Sequence, residues 1–179
     1  MTEKEEYAII LDYLPYGYPM GGKMTPIAQA VGEKTFSLLE LVPRRGVSLE
    51  QNEKVYIGPE KRDKIYYISG RIQRDKLTES AKIQLQEFIE KEVAEQEKKF
   101  VDFFNNAQAI NTRLHQIELL PGFGKKHTKE ILEAREMKPF ESFEDIRKRL
   151  PSIPDPKKAV EKRIEEELTE RQRFNLFVR

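Results

Sequence analysis

Leu119-Leu120-Pro121-Gly122-Phe123-Gly124-Lys125-Lys126-His127-Thr128 decides how the C-terminal part of this chain is read. Leu114 and Ile117 precede it, and Ile131 and Leu132 follow it. The pattern predicts two short helices joined by a Pro-Gly-apolar-Gly turn, with lysines opening the second helix. Glycine lets a backbone turn tightly and approach a ligand closely. The first N–H groups of a helix have no intrahelical acceptor and carry partial positive charge, which suits a phosphate. Lys125 and Lys126 add full charges at the same place. A second reading stands beside this one, in which the glycines serve only helix crossing and capping.

The stretch resembles the helix-hairpin-helix motif of nucleic-acid-binding proteins. That resemblance implies a turn that holds a sugar–phosphate backbone through its glycine-region amides, largely without reading bases. The amides would be those of Gly122, Phe123 and Gly124, assisted by Lys125 and Lys126. His127 follows the lysine pair as a further phosphate contact or a solvent-facing helix residue. Thirty positions on, Leu150-Pro151-Ser152-Ile153-Pro154 echoes the turn, and Lys157-Lys158 echoes the lysines. This copy is degenerate, because Ser152 and Pro154 replace the glycines and proline has no N–H. Ser142 and Asp155 are predicted N-caps of its two helices, with Pro156 in the first helical position. Lys138 to Phe143 reads as the linker between the copies.

The N-terminal part is different. All seven tyrosines lie at or before Tyr67. Residues 7–13, 24–31, 35–42, 54–57 and 64–69 are β-branched and aromatic runs bounded by Gly, Pro and charges, which predicts strands. Five short strands suggest a small barrel of the OB or SH3-like kind. Tyr13 to Lys23 forms a loop in which Tyr16, Tyr18 and Lys23 would make a base-stacking platform, or would simply cover the barrel end. Arg44 and Arg45 sit at a predicted turn where they could follow a backbone. Between the two parts, apolar residues from Ala81 to Ala107 fall on one helical face, with Thr78 as N-cap. The expected organisation is therefore α+β: a barrel over 1–75, a connecting amphipathic helix over 76–110, and tandem hairpins with a tail over 111–179.

Composition bounds the function. There is no cysteine and there are only two histidines, His115 and His127, so thiolate chemistry is excluded and neither a metal centre nor another cofactor is expected. No apolar run approaches the ~18–20 residues of a membrane span. The acidic start Met1-Thr2-Glu3-Lys4-Glu5-Glu6 does not resemble a signal peptide, so a cytoplasmic location is expected. The net charge is only +1, but residues 111–179 hold 16 basic and 13 acidic side chains, so the positive excess lies where the hairpins lie. Some DNA glycosylases use a hairpin lysine as nucleophile, and Lys126 occupies a similar place, with Glu144 or Asp145 as a partner acid. The large helical domain that precedes the hairpin in those enzymes has no counterpart here, and no catalytic activity is expected.

As a whole, the chain resembles an archaeal family of uncharacterised proteins that join a small β-barrel to a helix-hairpin-helix pair and carry the label RNA-binding. Thr112-Arg113-Leu114-His115, the Leu120–Lys126 turn and Lys138 to Asp145 carry the likeness. It implies a non-catalytic RNA-binding protein. Double-stranded DNA is the alternative ligand, and a protein-interaction or dimerisation scaffold is the alternative of another class.

Overall fold

The computed structural model describes residues 4–22 and 24–179. The chain forms two compact units, Met1–Glu87 with Glu167–Arg179, and Phe88–Glu166. These limits differ from the sequence boundaries at 75/76 and 110/111.

The first unit is built on five strands: β1 (Tyr7–Leu14), β2 (Ile27–Gly32), β3 (Leu38–Pro43), β4 (Lys54–Tyr56) and β5 (Ile65–Arg71). They form one antiparallel sheet in the order β4-β1-β2-β3-β5. The sheet curls into a half-barrel. It does not close, because among the described residues β4 and β5 are not partners. β4 is only three residues long and is followed by Gly58-Pro59. That segment turns on itself through the Glu60 amide donating to Tyr56 Oη (3.0 Å) and Arg62 Nε donating to the Gly58 carbonyl (2.9 Å).

Two strands start later than the sequence suggests, each for a local reason. Pro26 has no N–H to give to a ladder, and β2 begins at Ile27. Phe36 has φ +58°, a left-handed conformation that interrupts an extended run, and β3 begins at Leu38. Phe36 is nevertheless buried, at 1 % exposure. The sheet's core joins Ala8, Ile10, Ala28, Ala30, Leu39, Leu41, Val55 and Ile65. A β-bulge shifts the β1–β2 register between Ile10 and Asp12. It allows consecutive Ile10 and Leu11 both to be fully buried. Beyond it, Asp12 accepts a hydrogen bond from Thr78 Oγ1 at 2.6 Å.

Gln29, in the middle of β2, is fully buried and fully bonded. Its amide nitrogen donates to Tyr18 Oη (3.2 Å) and the Lys76 carbonyl (3.0 Å), and its oxygen accepts the Thr78 amide (2.9 Å). A buried amide without such partners would cost about 1–3 kcal/mol. Thr78 is the expected N-cap: its Oγ1 accepts the Ala81 amide at 3.0 Å at the start of α1 (Glu79–Glu95). The tail holds no strand but is bound. Glu167 accepts amides from Leu176, Phe177 and Val178, and the Arg179 amide donates to the Thr35 carbonyl.

The expected single helix over 78–107 is two. α1 ends at Glu95, Gln96 leaves helical geometry (φ −101°, ψ 36°), and α2 runs Glu97–Asn106. Between Val93 and Phe100 the only apolar residue is Ala94, so no i,i+3 or i,i+4 pair holds that turn straight. After α2 come a 3-10 turn (Gln116–Leu119), α3 (Lys125–Met137), α4 (Phe143–Arg149) and α5 (Pro156–Thr169). Three arginines close C-terminal ends in this unit. Arg135 donates to the Phe104 and Ala107 carbonyls after α2 (3.2 and 2.8 Å). Arg149 donates to Ala134 and Lys138 after α3 (2.6 and 2.8 Å). Arg163, buried on α5, donates to Leu119 at the end of the 3-10 turn (3.2 Å). Unpaired last carbonyls thereby gain charged donors.

Candidate nucleic-acid interface

The element before the Leu119–Thr128 turn is not the helix the sequence suggests. Asn111 Oδ1 accepts the amides of Arg113 and Leu114, and Ala109 bridges to His115. Only a four-residue 3-10 turn follows. His115 caps it, its Nδ1 accepting the Ile117 amide at 3.1 Å while Glu118 reaches back to the His115 amide at 2.7 Å. Asn and His side chains that bond nearby amides compete with helix formation at that spot. Burial, and then the Arg135 charge, hold His115 below its usual pKa, outweighing the nearby Glu118 carboxylate.

The turn itself needs glycine once. Gly122 has φ +82°, a conformation L-residues adopt at a cost of roughly 1–2 kcal/mol. Gly124 is extended at φ −113° and serves as N-cap of α3 without a side chain to bond. The amides expected to grip phosphate are partly engaged. The Phe123 amide donates to the Leu120 carbonyl (3.1 Å), and the Gly124 amide donates to His127 Nδ1 (3.2 Å). Phe123 is a core residue at 6 % exposure, its ring 6.3 Å from Phe104 and 5.8 Å from His127. Phe123 and Gly124 therefore leave the candidate grip, and the His127 ring caps rather than reaches outward.

What stays open lies one step further along. The first intrahelical bond of α3 runs from the Thr128 amide to the Gly124 carbonyl (3.0 Å). The amides of Lys125, Lys126 and His127 precede it and have no protein acceptor among the described residues. The first turn of α3 contains no acidic residue. The other helices are supplied: α1 by Thr78 and Glu79, α2 by Glu97, α4 by Ser142 with Glu144 and Asp145, α5 by Asp155. Lys126 is exposed and without an ion pair among the described residues. Lys125 is partly neutralised, its Nζ lying 3.1 Å from Glu118 Oε1 and 2.6 Å from the Arg113 carbonyl. Burial pushes the Glu118 carboxyl up, but the His115 amide and the Lys125 ammonium together hold it below the usual carboxylate range.

The second turn lacks this opening. Asp155 Oδ1 accepts the amides of Lys157 (3.0 Å) and Lys158 (3.3 Å), so a carboxylate already occupies the place a phosphate would take. Lys157 is bound to Glu161 at 2.5 Å; Lys158 is exposed. The adjoining groove of about 690 Å³ sets Glu144 and Asp155 among Arg147, Lys148 and Lys157. The two turns are neighbours: a side chain at Gly122 would come within 3.5 Å of Pro154 Cγ. The second copy supports the first but does not repeat its chemistry.

In the first unit the predicted residues divide. Tyr18 is structural: its hydroxyl donates to Glu40 Oε2 at 2.6 Å and accepts from Gln29. Burial, and then the Glu40 hydrogen bond, push its pKa up to about 12. Tyr16 is 71 % exposed. Arg44 donates through Nε to the Arg62 carbonyl (2.7 Å), and Arg45 is exposed. Lys23 lies outside the described residues. Missed by the sequence reading is Tyr66, 65 % exposed on β5. Strand alternation alone could not place it, because its neighbour Tyr67 is exposed too.

These features define a mixed α+β protein, a curled five-stranded antiparallel sheet with five helices, of a type found in archaea. The chain belongs to the family described as protein of unknown function DUF655, whose pattern matches residues 4–179. It is similar to the uncharacterised protein MJ0038 of Methanocaldococcus jannaschii, 45 % identical over 177 residues, spanning 98 % of this chain and 80 % of that one. It is also similar to the crystal structure of Af1531 from Archaeoglobus fulgidus, with a TM-score of 0.84 and 43 % identity over 98 % of this chain and 100 % of that one. Among the described residues no helix is long and apolar enough to cross a membrane.

Proposed function

We propose that this protein binds the sugar–phosphate backbone of RNA at the start of α3, without catalysing a reaction. One observation carries the reading: three consecutive amides, those of Lys125, Lys126 and His127, open α3 with no protein oxygen among the described residues to receive them. An N-cap oxygen is worth about 0.5–2 kcal/mol to a helix. A phosphate oxygen supplies the same bonds and meets the partial positive charge of the helix start. The φ of Gly122 turns the chain so that this start is approached closely, and exposed Lys126 adds a mobile charge beside it. The contact is with backbone, so it tolerates any sequence. DNA presents the same phosphates and is the alternative ligand.

Salt titration tests this. Binding of a labelled RNA should weaken linearly in log K against log salt, with a slope of about −0.7 to −0.9 per phosphate neutralised. Lys125→Ala with Lys126→Ala should lower affinity evenly across sequences and flatten the slope, with most of the loss already present in Lys126→Ala, because Lys125 is shared with Glu118. A double variant that binds like the wild type at every salt concentration would leave this turn a structural element only.

A further inference from the structure

The first unit contains a groove of about 530 Å³ walled by Tyr13 and Tyr66, with Pro43 and Val47 lining it and Arg44 and Arg45 among its residues. Its size falls within the roughly 300–1,000 Å³ of small-molecule sites. The geometry points to a pocket for an unpaired base and its phosphate, which gives the protein a preference for single-stranded over duplex RNA. The inference takes its ligand class from the reading above and adds a second, separate site.

Preorganisation is visible in the groove. Tyr13 Oη donates to the Val47 carbonyl at 3.4 Å. The loop after β3 is closed by the Val47 amide on the Arg44 carbonyl (3.0 Å) and tied to the approach to β5 by the Arg44 amide on the Lys64 carbonyl (2.7 Å). Gly46 turns that loop at φ +81°. Arg44 is anchored through Nε on the Arg62 carbonyl, which leaves its terminal nitrogens without a protein acceptor among the described residues. Arg45 makes no hydrogen bond or ion pair among those residues.

Charge decides what fits. Among the described residues no acidic residue lines the groove, while Arg44 and Arg45 do, so the complementary ligand is anionic. Guanidinium forks match phosphate oxygens in pairs. The walls are aromatic rings and proline, which suit a flat ring rather than an extended chain, and stacking on an aromatic ring is indifferent to base identity. A base inside a duplex is already stacked and paired, so only an unpaired strand can deliver one here. The stacking surface of this groove is thus Tyr13 and Tyr66.

The test uses the full chain, a labelled single-stranded RNA of mixed sequence, and the same strand annealed to its complement, with binding read by fluorescence anisotropy. Tyr66→Ala and Arg45→Gln should each weaken single-strand binding about tenfold and leave duplex binding unchanged, from the usual value of a base–aromatic stack and of a charge-assisted hydrogen bond. Tyr66→Phe should bind as wild type, and ultraviolet crosslinking should place a base on the peptide that carries Tyr66. Tyr66 is exposed, so a thermal melt matching wild type will show that the variant folds. Equal single-strand binding by wild type, Tyr66→Ala and Arg45→Gln would overturn the inference. So would an equal loss on single strand and duplex, which would mean unspecific charge. Lys126→Ala separates the two sites. If it alone weakens binding, the groove is lost and the α3 site stands; if only Tyr66→Ala weakens single-strand binding, the groove stands and the α3 reading fails. No RNA binding by wild type would sink both.

Discussion

Placing a carboxylate at position 124 should stabilise the fold and weaken its proposed activity together. Gly124 is extended at φ −113°, a conformation open to any residue, and no atom beyond its own chain neighbours lies within 4 Å of where its Cβ would stand. Gly124→Asp would put an oxygen within reach of the Lys126 and His127 amides, as Asp155 already does for Lys157 and Lys158 at 3.0 and 3.3 Å. Three contributions add: a few tenths of a kcal/mol for Asp over Gly as N-cap, about 0.4–1 for the lost freedom of the unfolded glycine, and about 0.3–1 for a negative charge at a helix start. The total of about 1–2 kcal/mol should raise Tm by roughly 2–8 °C in a chain of this size. Binding moves the other way. The amides are occupied, each worth about 1.5–3 kcal/mol to a charged acceptor, and the carboxylate repels the phosphate. RNA affinity should therefore drop at least tenfold. Gly124→Asn fills the same amides without charge and should show an intermediate loss. Calorimetry and anisotropy on the same preparations provide both readings. A raised Tm with unchanged RNA affinity would refute the α3 site; a lowered Tm would refute the capping geometry behind it.

Gly122→Ala should cost about 1 kcal/mol net, the left-handed strain of ~1–2 kcal/mol less the unfolded-state gain, and lower Tm by about 2–4 °C. Its Cβ meets Pro154 Cγ at an ordinary 3.5 Å, so strain rather than collision sets the loss, and a Tm equal to wild type would contradict the φ of +82°. His115 is held below 6.5 in the folded chain by burial and Arg135, while the unfolded chain takes up its proton near that value. Its contribution to stability should be complete above pH 6.5 and decline as pH falls below it; His115→Asn, which keeps an acceptor for the Ile117 amide, should lose that part of the dependence in urea melts across pH 5–8. Tyr18→Phe should cost about 1–3 kcal/mol in urea denaturation by stranding Glu40 and Gln29. The wild type should also lose stability as pH rises from 10 towards 12, where the unfolded tyrosine ionises first, and the variant should not lose that contribution.

Strand existence was legible in the sequence because β-branched and aromatic runs need only local contrast with Gly, Pro and charge. Closure was not legible: whether β4 and β5 pair depends on a three-residue strand and the Gly58–Arg62 turn, not on the alternation of either strand. Caps read well. Thr78, Ser142 and Asp155 each bond the predicted amides, since an N-cap acts within three residues of itself. The failures are long-range or competitive. The 3-10 turn at Gln116–Leu119 replaced a helix because Asn111, His115 and Glu118 bond nearby amides. The break at Gln96 was visible as the apolar gap between Val93 and Phe100, although a helical frame drawn over the whole segment hides it. At the candidate site the lysines were legible, but the engagement of the Phe123 and Gly124 amides was not. That depends on the Leu120 carbonyl and the tautomer of His127.

Charge counting pointed to the unit that holds the proposed site, but for an incomplete reason. The basic excess of residues 111–179 includes Arg135, Arg149 and Arg163, whose guanidinium groups serve backbone carbonyls. A phosphate competing for those groups would have to leave the carbonyls unpaired, at about 1–3 kcal/mol each. The charge that can meet a ligand is therefore much smaller than the formal count, and position matters more than sum. α1, α4 and α5 begin with a capping oxygen of their own chain, and α2 has an acid in its first turn. α3 begins with glycine, which offers no side-chain oxygen, and two lysines, which oppose the helix dipole. Three of the other four helix starts carry a capping oxygen and the fourth an acid, whereas this one has neither, at a small cost in stability. Such concessions gather at functional sites, and the ligand that would remove this one is an oxyanion.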